Sequence, residues 1–460
     1  AGIPLTTEEV VITALGISKK AGIIGYSSTA VKGELLNQTE KANVLNNLQG
    51  RVAGVNVSAV NSGPGGSTRI LIRGVSNFSS LTDPLIVING VPMDNTKRGS
   101  AEVAGGSDMG DGLSSINAQD IDNVVILKGS VASALFGSRA SNGVIQITTK
   151  NAAGAHGLRL ELNSGFALNS IIDNTNFQKI YGQGLAGKRP AGAADFMEAG
   201  LNSWGEKLDG KPVAGPDGKM YPYSRARDQK KNFYLAAPVI SNTLSGVKGW
   251  RSGNIRVSAS YLNNGSVHPG SDFTRYTGNI NLNQDITGKL KLMMMVNYSN
   301  EAARLRLNLN DMRGNANFTM NFLPANIDPW ILKPGYDPST GYENSMSPGG
   351  DIANPWFVAK KLISNTGRQR IISSFSLRYD LTKKLYIQGR MGLDIAKDDN
   401  FFVEPTGTGY NTGGGLKDMS GREITELNVD GMLSYTTRLS RSISLHTILG
   451  ANIRKFKDEQ

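Results

Sequence analysis

The sequence has no cysteine and only three histidines. The first absence excludes disulfides, thiolate metal sites and a cysteine-linked lipid anchor. The second leaves His156, His268 and His446 too far apart along the chain to read as one metal or catalytic cluster. No run of 18 apolar residues occurs, so no α-helix is expected to span a membrane. A spanning β-strand stays open, because it needs only about ten alternating residues. G-x-S-x-G, H-E-x-x-H and G-x-x-x-x-G-K-[ST] are all missing, which leaves enzyme readings without chemistry. Gly65-Gly66 lacks the strand-glycine-helix setting of a phosphate cradle, and Asp398-Asp399 reads as solvated loop charge. The net charge is +11. Lys and Arg are scattered rather than blocked, which argues against nucleic-acid binding. No signal peptide is visible, and Ala1 to Thr7 reads as a mature or trimmed end.

What is present are 55 glycines and two textures that divide near Lys150. Before it, short apolar runs alternate with helical patterns. Glu9 to Leu15 is a polar-flanked extended segment. A helix is predicted over about 39–49, with Ala42, Val44, Leu45 and Leu48 on its apolar side and Gly50 as its stop. Strands are predicted at Val52–Val57, Arg69–Arg73, Leu85–Ile88, Val124–Leu127 and Val144–Thr149, with a turn at Asn89-Gly90. Ser130 is placed to cap a short helix through Phe136, stopped by Gly137. Strands mixed with helices over about 140 residues predict a small α/β or α+β domain with a mixed sheet.

After Lys150, period-2 alternation dominates. Leu158, Leu160, Leu162, Phe166 and Leu168 alternate with polar residues, as do Ile255, Val257, Ala259 and Tyr261. Similar stripes begin at Ile280, Leu290, Phe375, Leu385, Val429 and Ile443, and a weakly marked one lies near Val239 to Gly246. That makes about nine strands, each with one apolar and one polar face. Their connections alternate in length. Thr287-Gly288, Thr382 to Lys384 and Ser440-Arg441 are tight turns, whereas about 169–238, 301–367 and 397–423 are long polar stretches. Short turns at one end and long loops at the other suit an outer-membrane barrel, since backbone in lipid must be fully paired. A soluble β-sandwich would alternate too, but its strands usually stop at five or six residues.

Three stretches carry a resemblance. Glu8 to Gly16 resembles a TonB box and its continuation. Leu48-Gln49-Gly50-Arg51-Val52-Ala53-Gly54-Val55, Gly63-Pro64-Gly65-Gly66 and Ile70-Leu71-Ile72-Arg73-Gly74 follow. Then come Pro84 to Pro92, Asp120 to Gly129, Ala134 to Ala140 and Asn142 to Ile145. In this order they resemble the plug of TonB-dependent transporters of the SusC/RagA-like branch. Tyr261-Leu262-Asn263 and Asp272 to Tyr276 look like the early barrel of that branch.

The resemblance implies an α+β plug domain inside a transmembrane antiparallel β-barrel, 22-stranded in the family, of which about nine strands are expected here. It implies a TonB box and linker at 1–20, a plug at 21–150, and an incomplete N-terminal part of the barrel at 151–460. The implied activity is TonB-dependent import of an oligosaccharide or oligopeptide across the bacterial outer membrane, with no catalysis, metal or cofactor. TonB, a SusD-like lipoprotein lid and outer-membrane lipid are the implied partners. A siderophore or vitamin receptor and a TonB-independent secretion or assembly pore are the alternatives. Glu9, Val10, Val11, Ile12, Thr13 and Ala14 are expected to pair with TonB as an added strand, which β-branched residues favour. Arg51, Arg73, Lys128 and Arg139 are expected to touch the barrel wall, with Glu161 a possible partner. Asn77, Phe78, Ser79, Leu81, Asp94 and Asp111 are expected on plug loops facing the substrate. Trp330 and Trp356 are expected in an external loop against ligand or lid, and Trp204 and Trp250 in external stretches as well.

Overall fold

The computed structural model describes residues 10–12, 18–20, 28–37, 42–60, 62–75, 82–101, 105–128, 132–133, 136–155, 157–411, 413–440 and 443–460. Side chains are described from residue 29 onward. Strands β1 (Val10–Ile12) and β2 (Ser18–Lys20) pair antiparallel in a sheet of their own. β3 (Ser28–Lys32) enters the first large sheet, and β4 (Val55–Ala59) and β5 (Thr68–Ile72) form a separate hairpin. β6 (Leu85–Ile88), β7 (Val91–Met93), β8 (Ile121–Leu127) and β9 (Val144–Thr149) complete a five-stranded sheet in the order β3-β8-β9-β6-β7. Within it β6 and β9 run parallel and the other neighbours antiparallel, so the sheet is mixed. β6 and β9 are buried along their whole length, which is why they read as continuous β-rich runs rather than alternating ones. Asn89 and Gly90, at φ 47° and 83°, supply the two positive φ angles of a tight hairpin between β6 and β7.

Of the helix predicted over 39–49, residues 39–41 lie outside the described residues, and the remainder holds a 3₁₀ segment, Val44–Leu48. Asn43 caps it through its side chain, which accepts from the Leu45 N–H at 3.1 Å. That cap starts the segment late, and five residues hold only one and a half turns. Its apolar side packs as expected: Ala42, Val44, Leu45 and Leu48 are all buried. The short helix expected from Ser130 falls largely outside the described residues.

The rest of the chain is one antiparallel sheet with intervening loops. It comprises β10 (Gly157–Asn169), then a small loop hairpin of β11 (Pro212–Ala214) and β12 (Met220–Pro222). β13 (Ala237–Trp250), β14 (Gly253–Gly265), β15 (Asp272–Asp285) and β16 (Leu290–Arg304) follow. β17 (Ile363–Asp380), β18 (Leu385–Glu404), β19 (Leu416–Arg438) and β20 (Ser444–Glu459) complete it. The nine strands pair in sequence order from β10 to β20. Each has 13 or more residues, beyond the usual strand and enough for a tilted span of a bilayer. The weak stripe at Val239 is a full strand, β13. Polar Ser241, Asn242 and Thr243 hide its alternation, but its ladders to β10 and β14 fix it.

The stretch 397–423 is mostly strand, with a loop only at 405–415. Asp398 points to the buried polar face, while Lys397 and Asp399 on either side of it are exposed. The long connections 170–236 and 305–362 share an apolar core built on Phe196, Phe233, Met320, Leu332, Met346 and Trp356. Helices Ala193–Ala199, Ala316–Phe322 and Pro355–Lys361 stiffen them. No helix among the described residues is long and apolar enough to cross a membrane.

Candidate functional site

The nine-stranded sheet is inverted relative to a water-soluble one. Side chains on its outward face are apolar and exposed: Leu160 is 67% exposed and Leu449 73%. The band is continuous across the ladders, for example Val257–Ile280–Val296 and Ile387–Leu433–Leu449. An apolar exposed band this wide marks a surface that does not face water. The inward face carries Arg256, Arg275, Asn297, Glu301, Arg370 and Asp394, all buried. Period 2 places both sets on one strand, so each strand has two unlike faces.

The plug packs on the polar face. Among the described residues, Met295 and Ile372 of the large sheet join the main apolar core of the plug, and Ala42 of the plug joins a small wall cluster of Val239, Leu262, Phe273 and Ala303. Much of the remaining contact is charge-assisted hydrogen bonding. Arg370, fully buried, donates to Asp394 at 2.8 and 2.5 Å, to the Gly112 carbonyl at 3.1 Å and to the Asp94 carbonyl at 2.6 Å. The Asp94 N–H in turn donates to Asp394 at 2.9 Å. Gly112 is needed there, because a Cβ would meet Arg370 Nη1 at 2.3 Å. Arg368 pairs with Asp398 at 2.6 Å and donates to the Asp111 carbonyl. Arg275 donates to the carbonyls of Ala42, Ser114 and Ile116, and Arg306 to that of Pro64 at 3.0 Å. Glu301 accepts from Ser114 and Ser115 at 2.7 and 2.5 Å. Arg256 and Ser258 hold Asp120 at 2.7 and 2.6 Å. Glu426 is shared by Arg139 of the plug at 2.7 Å and Arg454 of β20 at 3.0 Å.

Burial sets the electrostatics of the plug side. It lifts the Asp111 carboxyl to about 6, against the opposing pull of the Thr68 and Leu113 N–H groups. It lowers Arg98 to about 9, helped by the Arg368 charge and opposed by Asp94. Arg98 still bonds Asp94 at 2.9 Å and pairs with Asp398.

Above the plug, at the loop end of the sheet, lies an open cavity of about 1000 Å³. Its floor is the β4–β5 turn at Val60, Gly63 and Pro64, and its walls come from the β10, β14–β15 and 305–322 segments. A neighbouring cleft of about 480 Å³ shares Ile171, Lys230, Asn321 and Phe322 with it. His268 lines the larger cavity, T-shaped against Phe233. Burial pulls His268 down to about 4, so it is neutral there.

The residues singled out in the sequence scatter around this arrangement. Val10 to Ile12 pair with Ser18–Lys20, while Glu9, Thr13 and Ala14 lie outside the described residues, as do Asn77, Phe78, Ser79 and Leu81. Arg139 meets Glu426 of β19. Lys128 donates within the plug to the Ala53 carbonyl at 2.8 Å, and Arg51 and Arg73 lie exposed on plug turns. Glu161 bonds Asn163 of its own strand rather than any of these four.

Asp94 and Asp111 do not face a cavity. Both are buried, and Asp111 accepts from the Thr68 and Leu113 N–H groups. Trp356 belongs to the loop core, its Nε1 donating to the Pro329 carbonyl at 2.7 Å, and Trp330 is exposed beside it. Lys333 lies over both rings at 3.3 and 4.2 Å. Trp204 is exposed in the loops, but Trp250 sits at the tight-turn end, bonded to Gln284 at 2.9 Å. Asp398 is no solvated loop charge: it is buried between Arg368 and Arg98. The missed residues are the strand charges Arg256, Arg275, Glu301, Arg368, Arg370 and Asp394. Their signal is a charge within the polar stripe of a period-2 strand, as at Arg256 among Asn254, Ser258 and Ser260.

Residues 24–144 match the family model described as TonB-dependent Receptor Plug Domain. The TonB-dependent receptor SusC of Bacteroides thetaiotaomicron is 31% identical over 275 residues, covering 60% of this chain and 24% of that protein. The TonB-dependent receptor P26 of Formosa agariphila is 24% identical over 459 residues, covering 99% of this chain and 42% of its own length. The RagAB peptide importer in its "open-open" state superposes with a TM-score of 0.72 at 18% identity, over 98% of this chain and 49% of that one. The chain thus spans a quarter to under half of those curated relatives. These relatives are receptors and transporters, not enzymes. Residues 24–144 thus carry a TonB-dependent receptor plug domain, and the chain is similar in sequence to SusC-like TonB-dependent receptors and in fold to the RagAB importer.

Proposed function

From that similarity we propose that the protein imports a large nutrient, an oligosaccharide or oligopeptide, across the bacterial outer membrane in a TonB-dependent cycle. The apolar outward band of β10 to β20 sits in lipid, and the tight turns face the periplasm. Residues 1–20 act as TonB box and linker, 21–150 as the plug, and 151–460 as barrel wall. TonB captures Glu9 to Ala14 by strand addition, and Val10–Ile12 within this stretch are extended. A SusD-like lipoprotein closes the loop end, where Trp330 is exposed.

The observation that carries the proposal is the polar seam between plug and wall. An apolar seal would lose all its burial at once when pulled. A seam of hydrogen bonds and ion pairs can exchange partners with entering water one at a time. Such a stopper holds at rest and moves under a directed force.

The test is uptake by cells of labelled oligosaccharide and oligopeptide pools, with the full protein lacking Val10-Val11-Ile12. Uptake should be lost while the barrel still folds, read by heat-modifiable migration. Uptake that persists in this deletion or in cells without TonB overturns the proposal.

A further inference from the structure

We propose that the cavity of about 1000 Å³ above the plug binds a neutral oligosaccharide on the helix Ala316–Phe322. The inference rests on the import reading and chooses between its two cargo classes. Asn317-Phe318 and Asn321-Phe322 repeat the same pair four residues apart. On an α-helix that spacing stacks them on one face, about 6 Å apart along the axis. All four residues line the cavity. The two rings are 5.0 Å apart between centroids, and Phe322 continues to Phe177 at 6.3 Å in a stacked pair. The result is a run of aromatic rings, the first two tilted 54° to each other, with an amide beside each of them; Asn317 Oδ1 accepts from the Tyr234 hydroxyl at 2.8 Å.

That combination fits sugar rings. The apolar face of a pyranose lies flat on an aromatic ring. An amide donates and accepts at once, so it serves neighbouring hydroxyls that do the same. The charge pattern disfavours the competitors. Among the described lining residues Lys230 is the single Lys or Arg, and it is engaged with Asp173 at 2.9 Å and Thr175 at 3.2 Å. His268 is neutral. A peptide carboxylate, an acidic sugar or an anionic iron chelate would lose its hydration there without gaining a cationic partner, which costs binding. Neutral hydroxyls carry no such cost.

The inference is tested with the full protein in detergent against an array of neutral gluco-, galacto-, manno- and xylo-oligosaccharides. Uronic-acid oligosaccharides and tetrapeptides serve as contrast probes. A neutral oligosaccharide should bind, and F318A with F322A should weaken it about tenfold or more, the scale of truncating aromatic anchors. N317A with N321A should weaken it without disturbing the thermal transition. Preferred binding of peptides or acidic sugars, or affinity unchanged in both double variants, overturns the inference. Its failure is separable from that of the import reading. TonB-dependent uptake of peptide sinks the glycan site and keeps import, whereas glycan binding without TonB-dependent uptake does the reverse.

Discussion

Arg370→Met isolates the polar seam at its most buried point. Arg370 and Asp394 have side chains 0% and 1% exposed, and the arginine also satisfies two plug carbonyls. Removing it leaves the Asp394 carboxylate with the Asp94 N–H as its remaining plug contact. Breaking a buried pair from one side costs about 3–5 kcal/mol. That corresponds to a rise of about a hundred- to several-thousand-fold in the population of locally undocked plug. The Asp94 amide reports this directly, because its hydrogen bond goes to the wall and not to the plug. Hydrogen exchange of the peptide spanning 91–98 should accelerate accordingly, while peptides from β8 and β9 keep their protection. R370M with D394L should recover a large part of the loss, since an apolar pair of similar volume is often neutral. Exchange at Asp94 unchanged in the single variant would refute the idea that this pair holds the plug.

Two further outcomes follow from the same structure. Phe375 faces outward between Met294 and Met391; Phe375→Arg should cost about 2–4 kcal/mol if it lies near the bilayer midplane and should reduce heat-modifiable barrel, whereas Phe375→Leu should not. Glu343 clasps the 305–362 and 405–415 loops, accepting from the Asn354 N–H at 2.7 Å and the Gly409 N–H at 2.8 Å. Burial pushes its carboxyl up to about 7 from about 4.5, so the folded clasp holds the extra proton between these values. Loop stability should therefore fall as pH rises through that window and level off above it. Exchange rates in 405–415 should follow this slope, and Glu343→Gln should flatten it.

The alternation of Leu158 to Leu168, or of Ile255 to Tyr261, made strands and their two faces legible without coordinates. The Asn89-Gly90 turn was legible for the same local reason. The helix at 39–49 was not, because Asn43 competes for the backbone through its own side chain. The 397–423 stretch misled because charge on a strand lining a polar interior looks like charge in a loop. Asp398 shows the cost: its partners Arg368 and Arg98 lie 30 and 300 residues away in sequence. Alternation says which way a side chain faces, not what it meets, so the wall residues of the seam stayed hidden. The cavity was hidden too, since its floor and walls come from five distant segments.

The wall arginines Arg275, Arg306, Arg368 and Arg370 seek the plug's carbonyl oxygens more than its side chains. Every amino acid carries that oxygen, so the fit depends on the path of the peptide skeleton and tolerates turnover in what hangs from it. At these four arginines the stopper is thus free to vary in side chain, unlike at Ser114, Ser115, Asp120 and Arg139. Transplanting a stopper of matching skeleton from a distant relative should still fill this seat.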